Sequence, residues 1–332
     1  MNEPGVVVIG RNEGERLVRC LGTVVGEGRP VVYVDSASSD RSVDAAKALG
    51  VDVVALDPSR PLSAARARNE GFARLRALAP ERRYVQFVDG DCEVAPGWFG
   101  LAVDVMEARP EVAIVCGRLR EKFREATIYN RLADMEWDGP PGEVAECGGI
   151  FLTRAEVFEA VGGFNAGLVA GEEGEYCLRV VRAGGKVLRL AEPMAWHDMA
   201  MTRFRAWWKR SVRAGFAYAN GHALDVGSPN RRYARQLRSV ILWGAVVPLT
   251  AIGLAWPSRG LSLALTLGYV ALYFRLMRHG RGRGWSTADA RLYALAILLG
   301  KFPQALGVAR YAVTRLLGRP STLIEHKGAA DA

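Results

Sequence analysis

Asp89-Gly90-Asp91 follows the apolar run Tyr84 to Val88. Two carboxylates on a tight turn can hold a divalent cation through oxygen ligands and leave positions open for phosphates. Alone, the same tripeptide is equally a solvated turn with Asp91 capping the next helix. Its context favours chemistry, because two further apolar runs end in comparable polar groups. Gly10-Arg11-Asn12-Glu13-Gly14 follows Val6 to Ile9, and Asp35-Ser36-Ala37-Ser38-Ser39-Asp40 follows Val31 to Val34. Asp35 stands where a carboxylate can accept hydrogen bonds from a base or ribose, whereas Asp40 reads as a turn and capping residue. Gly148-Gly149 either lets backbone approach a bound ligand or serves a turn. Glu172, Glu173 and Glu175 follow Gly171. At a helix start they complement the dipole, and their crowding can raise one pKa towards neutrality.

The elements that must position these groups alternate. Strands are expected at Val6–Ile9, Val31–Val34, Val53–Ala55, Tyr84–Val88 and Val112–Cys116. Helices are expected at Glu13–Val25, Ser42–Leu49, Ser63–Leu78 and Trp98–Ala108. Such alternation implies a doubly wound α/β fold with a parallel sheet covered on both faces, where ligands sit beyond the carboxyl ends of the strands. From Glu121 to Glu146 the pattern weakens around Gly139-Pro140-Pro141-Gly142 and reads as a variable segment. It resumes with strands at Ile150–Leu152 and Lys186–Leu190 and helices at Arg154–Val161, Glu173–Ala183 and Thr202–Asn220.

The chain has 332 residues and a formal net charge of +9. The charge is unevenly placed: 15 Lys+Arg face 3 Asp+Glu from Arg231 onward, against 29 and 32 in the first 230 residues. The basic third also holds the apolar runs, Ser239–Trp256 and Gly260–Phe274, with no charged residue in either. Basic groups flanking apolar segments fit a cytoplasmic membrane face rather than nucleic acid, so no nucleic-acid partner is expected. The expected organisation is a catalytic domain at 1–220, a basic juxtamembrane linker at 221–238 and a membrane-associated helical region at 239–332. Within that region, a hairpin of 239–256 and 260–277 precedes an interfacial or third spanning helix at 291–317. Two spans, three spans, and a buried helical core in a soluble domain all stay open. The five scattered cysteines contain no C-x-x-C pair and read as reduced cytosolic thiols. The N-terminus has no secretory-signal pattern.

Six segments in register, VVVIGRNEGERLVRCLGTV, VYVDSASSDRS, AARARNEG, FVDGDCEVAPGWF, CGGIFLTRAEVFEAVGGF and GEEGEYCLRVVRAGGKV, resemble the inverting family 2 glycosyltransferases of the GT-A fold. The resemblance covers roughly residues 4 to 220. It implies a nucleotide-sugar donor held through Mn²⁺ or Mg²⁺, a UDP-sugar by family habit, and transfer with inversion to an acceptor hydroxyl. By position, Asp35 corresponds to the base-reading carboxylate, and Arg68 to a donor-pocket cation. Asp89 corresponds to a ribose or metal contact, and Asp91 to the main metal ligand. Arg11, Asn12, Glu13, Gly90, Gly148 and Gly149 fall to the donor site. His197 matches a metal-ligating or diphosphate-contacting histidine. The general base comes from a helix-opening acidic pair, usually Glu-Asp; here it is Glu172-Glu173, and the base is Glu173 or, in second place, Glu172.

Arg203, Trp207, Trp208, Lys209 and Arg210 read as an interfacial belt or an acceptor contact. They lack the Gln-x-x-Arg-Trp pattern of processive synthases, so processivity is not inferred. The implied partners are a nucleotide sugar, membrane lipids, and an acceptor that is lipid-linked or part of a cell-surface glycan. The implied place is the cytoplasmic side of a bacterial inner membrane. A sugar-nucleotide pyrophosphorylase would need a Gly-rich basic loop after the first strand, and a NAD-dependent oxidoreductase would need G-x-G-x-x-G there. Gly-Arg-Asn-Glu-Gly is neither. A catalytically inactive membrane scaffold retaining the fold is the remaining alternative.

Overall fold

The computed structural model describes residues 3–26, 28–168, 171–224 and 232–318. Part of the expected basic linker, 225–231, lies outside the described residues. Contacts divide the chain into two units, one of residues up to 123 with 136–199, the other of 124–135 with residues from 200 onward.

The first unit opens with β1 (Gly5–Gly10), α1 (Glu15–Val24), β2 (Val31–Asp35), α2 (Ser42–Ala48), β3 (Asp52–Ala55), α3 (Ala64–Leu78) and β4 (Tyr84–Asp89). It continues through β5 (Cys92–Val94), α4 (Trp98–Ala108) and β6 (Val112–Glu121). After α5 (Ile128–Trp137), which begins in the other unit, come β7 (Gly142–Glu143), β8 (Phe151–Arg154), α6 (Ala155–Ala160), α7 (Glu172–Arg182) and β9 (Lys186–His197). The weakly patterned segment thus contains a helix and a short strand, and β6 and β9 both outrun their expected ends.

The strands form one sheet in the order β3-β2-β1-β4-β8-β6-β9-β5, with β7 also on β9. β1 runs parallel to β2 and β4, and β2 to β3. The expected all-parallel arrangement holds for this half, and β6 and β9 are parallel to each other as well. β8 is antiparallel to both β4 and β6, and β5 and β7 are antiparallel to β9, so the sheet is mixed. Direction was not legible because a buried β-branched run reads alike in either sense.

Val6, Val7, Val8, Val32, Val34, Val85, Phe87 and Val88 are fully enclosed. α3 lies close over β1 and β2 because Gly71 has no side chain; a Cβ there would sit 2.4 Å from Val7 Cγ1 and 2.7 Å from Val34 Cγ2. Behind the site, Phe72, Phe87, Phe151, Phe158, Phe164 and Tyr176 form a continuous ring cluster with centroids 4.3–6.1 Å apart. Such pairs add about 0.5–1.5 kcal/mol each beyond area burial and hold the floor of the site rigid. All five cysteines are buried and none is in a disulfide.

The second unit is helical: α8 (Phe204–Leu224), α9 (Arg232–Ile241), α10 (Val247–Gly253), α11 (Leu267–Gly282) and α12 (Thr287–Leu316). A π-type turn, Leu242–Val246, joins α9 to α10 immediately before Pro248, whose missing N–H cannot close an α-helical bond. Asp289 of α12 accepts from Arg124 (2.8 Å) and Arg131 (2.5 Å), which fastens the 124–135 segment within this unit. Among the described residues, three stretches are long and apolar enough to cross a membrane, namely Tyr233–Gly253, Leu261–Gly282 and Thr287–Leu316. Leu249, Ile252 and Trp256 of the hairpin are 70, 72 and 93% exposed.

Candidate active site

Strand register brings three strand ends to one edge: Gly10 pairs with Asp35, and Ile9 with Asp89. At the β2 end, Asp35 is buried. Its Oδ1 accepts from Tyr33 Oη at 2.9 Å and its Oδ2 from the Ser38 amide at 2.8 Å. Burial and then the Asp35 charge push the Tyr33 phenol far up, so it is a neutral donor. Asn12, in the left-handed region with φ 55°, links the first two loops. Its amide donates to Ser38 Oγ (2.9 Å), and its Oδ1 accepts from the Ser39 amide (2.7 Å). Arg11 is exposed, and Glu13 pairs with Arg16 at 2.9 Å. Asp40 accepts from the Ser42 amide at 3.0 Å, a turn role.

Arg68 is the centre of the site. It lies on α3, is almost wholly buried, and spreads its guanidinium over three carboxylates. Nη2 reaches Asp89 Oδ1 at 2.9 Å, while Nη1 lies 3.3 Å from both Glu172 Oε1 and Glu173 Oε1. Burial alone would lower its pKa, but Asp89, Glu173 and Glu172 outweigh that and raise it, so it stays charged. The two glutamates open α7 after Gly171, whose left-handed conformation (φ 80°) starts the helix. They differ in access: the Glu172 side chain is 5% exposed and Glu173 22%. Burial and the neighbouring Glu172 push the Glu173 carboxyl up to about 7, against the pull of Arg68. Gly149 lies against Arg68, Asp89 and Glu173, while Gly148 faces open space.

Asp91 does not cap a helix. β5 follows it directly, and pairing of Cys92 with His197 on β9 lays Asp91 beside that histidine. Asp91 Oδ2 is 3.3 Å from His197 Nε2, and the Cys92 thiol lies 3.6 Å from Asp91 Oδ1. Asp91, Cys92 and His197 present ligand atoms within 4.8 Å of one another. A carboxylate oxygen and an imidazole nitrogen suit Mn²⁺. The buried His197 Nδ1 is without a hydrogen bond, whereas a metal-bound histidine usually donates that N–H to an acceptor. These residues fit the implied metal. Asp89, drawn onto Arg68, is not part of this group.

Sequence reasoning missed two residues here. Glu121 lies 3.9 Å from His197 Nδ1, and the Trp137 ring lies 4.8 Å from the imidazole centroid. The available signal was the strand-end rule, which finds Glu121 once β6 is extended through Arg118-Leu119-Arg120.

Residues 5–162 match the family model "Glycosyl transferase family 2". No curated protein gives a significant match. Among solved structures, the mannosyltransferase PcManGT from Pyrobaculum calidifontis, in complex with GDP-Man and Mn²⁺, is similar at 20% identity. The match covers 90% of this chain and 87% of that one, with a TM-score of 0.56. S. aureus TarS 1-349 with UDP-GlcNAc is similar at 12% identity, over 96% of this chain and 92% of that one (TM-score 0.49). Glucosyl-3-phosphoglycerate synthase from Mycobacterium tuberculosis is similar at 17% identity, over 67% and 80% (TM-score 0.46). Residues 5–162 thus match the family 2 glycosyltransferase model, on a GT-A fold shared with solved glycosyltransferases.

Proposed function

We propose that the protein is a metal-dependent inverting glycosyltransferase that moves a sugar from a nucleotide-sugar donor to an acceptor hydroxyl at a membrane surface. The observation that carries this reading is the Arg68 junction. It ties together Asp89, Glu172 and Glu173, and of the two glutamates Glu173 is the more accessible, with its pKa lifted to about 7. Glu173 is the general base and Glu172 its anchor. A base of this pKa takes a proton from a hydroxyl at neutral pH and still exists half in its active form.

In the transfer, the acceptor oxygen attacks the anomeric carbon as its proton passes to Glu173 Oε. The bond from that carbon to the phosphate oxygen breaks, and the nucleoside diphosphate leaves with the electron pair. Attack opposite the leaving group inverts the centre. Asp35 and the Asn12 loop hold the nucleoside end, Arg68 fixes Asp89 beneath the ribose and diphosphate, and Gly148-Gly149 admits the sugar. Asp91 and His197 would hold Mn²⁺ or Mg²⁺, which when bound would supply positive charge to the departing diphosphate. A UDP-sugar is the favoured donor on family habit, and the similar mannosyltransferase holds GDP-Man with Mn²⁺, so both bases belong in the test.

The exposed apolar hairpin and its basic flanks support association with anionic membrane lipids, with the catalytic unit on the cytoplasmic side and an acceptor that is lipid-linked or a nascent surface glycan. The deciding experiment is binding of UDP-, GDP- and TDP-sugars to detergent-purified protein with Mn²⁺, and again with EDTA. Metal-dependent binding of one nucleotide, lost in Asp91→Ala, supports the reading. Folded protein that binds none of them overturns it in favour of a scaffold.

A further inference from the structure

Glu121 has no part in the transfer as described, yet it is a fully buried carboxylate at the edge of the site. It is the last residue of β6 and is aligned with His197 of β9 in the parallel ladder. Its side chain is 0% exposed. Oε1 accepts from the Phe123 amide at 3.1 Å and Oε2 from the Met199 amide at 3.2 Å, so two backbone groups fix its orientation. Oε2 is also 3.9 Å from His197 Nδ1, the ring nitrogen that is buried without a hydrogen bond. The other nitrogen, Nε2, faces Asp91 Oδ2 at 3.3 Å. The Trp137 ring lies against the imidazole at 4.8 Å between centroids and restricts its rotation. The imidazole is thus held between two buried carboxylates, one per nitrogen.

We propose that Glu121 is a positioning residue that acts through His197, accepting the Nδ1–H so that Nε2 presents its lone pair beside Asp91. The inference rests on the reading of Asp91 and His197 as the metal site. A neutral imidazole has one N–H. If Nε2 binds a cation, the proton must sit on Nδ1, and Nδ1 is buried with the Glu121 carboxylate in front of it. The separation of 3.9 Å is longer than a hydrogen bond, so the proposal requires the ring and the carboxylate to draw together by about 1 Å when a cation binds. Without the carboxylate, that N–H would be a buried donor with nothing to accept it, and metal binding would carry the penalty. Buried carboxylates behind metal-bound histidines typically change metal affinity about 10–100-fold.

The test is a double-mutant cycle on Mn²⁺ affinity, measured by electron paramagnetic resonance on the full-length protein. Glu121→Gln is expected to weaken Mn²⁺ binding about tenfold or more in the wild-type background, and to change it less than about twofold in a His197→Asn background. An equal loss in both backgrounds overturns the inference, because Glu121 would then act on the fold rather than through the histidine. No loss in either overturns it as well. A wild-type protein that binds no Mn²⁺ instead overturns the metal reading, a distinguishable result. Should Glu121→Gln not fold, the wild type still decides. With the diamagnetic probe Cd²⁺ bound, long-range ¹H–¹⁵N spectra are expected to place the His197 proton on Nδ1, and a proton on Nε2 overturns the proposal.

Discussion

A Cβ added to Gly149 would sit 2.4 Å from Arg68 Nη2 and 2.8 Å from Asp89 Oδ2. The guanidinium and the backbone of the Gly148-Gly149 turn therefore occupy adjoining space with no room for a methyl group. Gly149→Ala is expected to force the Arg68–Asp89 pair apart, lower kcat at least tenfold and cost about 1–3 kcal/mol of stability, the usual range for overpacking. Steady-state kinetics and urea denaturation check the two effects. Gly148→Ala, which meets nothing within 4 Å, is the control and should change stability little.

Arg68 joins α3, β4 and α7 through one guanidinium. Arg68→Met leaves buried carboxylates without their cation and is expected to destabilise the protein by about 3–5 kcal/mol. Arg68→Lys keeps the charge but loses the fork that serves two partners at once, so it should fall between wild type and Met in urea midpoint. A midpoint for Met equal to wild type would show the junction to be energetically idle.

Glu173 makes activity and stability run in opposite directions with pH. Its carboxyl is raised to about 7 from an ordinary 4.5, so the base form accumulates as pH rises through 7. kcat/KM is expected to climb about tenfold per pH unit below that point and level off above it. Between pH 4.5 and 7 the folded state holds a proton that the unfolded state has released. The sign of the linkage is then that this group's contribution to stability falls as pH rises through the window. Urea titrations of wild type and Glu173→Gln at pH 5 and 8 test this. The wild type should lose stability relative to the variant at the higher pH. Glu173→Gln should also abolish turnover and retain donor binding, and unchanged turnover would sink the base assignment.

Asp91 shares its site with His197. EDTA and Asp91→Asn are each expected to remove Mn²⁺-dependent nucleotide binding. The thermal midpoint without metal should stay near that of the wild type in Asp91→Asn, since the amide can still accept from its neighbours. Calorimetric titration of the nucleotide with and without Mn²⁺ reads this out directly.

Leu249 and Ile252 are among the most exposed apolar side chains of the hairpin. Leu249→Glu with Ile252→Glu is expected to reduce co-flotation with vesicles rich in anionic lipid by more than half, because each charge is costly in hydrocarbon. Donor binding by the catalytic unit should persist in the same variant.

Local chain properties determined much of this protein in advance. Runs of β-branched residues marked the strands of the first half, and the polar groups behind each run marked the ligand edge, because side-chain periodicity and strand ends are properties of neighbours in sequence. Asp35 and Asp89 were picked out on that basis and Glu173 through the family resemblance, while periodicity and charge marked the apolar stretches of the C-terminal third. Tertiary structure alone decided how those groups are wired. Arg68 and Glu172 are 104 positions apart, and only the tertiary fold brings the guanidinium on α3 to the start of α7. Asp91 meets His197 because β5 pairs antiparallel with β9, and Glu121 meets it because β6 and β9 run on past their apolar cores. Strand direction, register and the length of a strand beyond its hydrophobic run depend on partners elsewhere in the chain, and no local pattern encodes them.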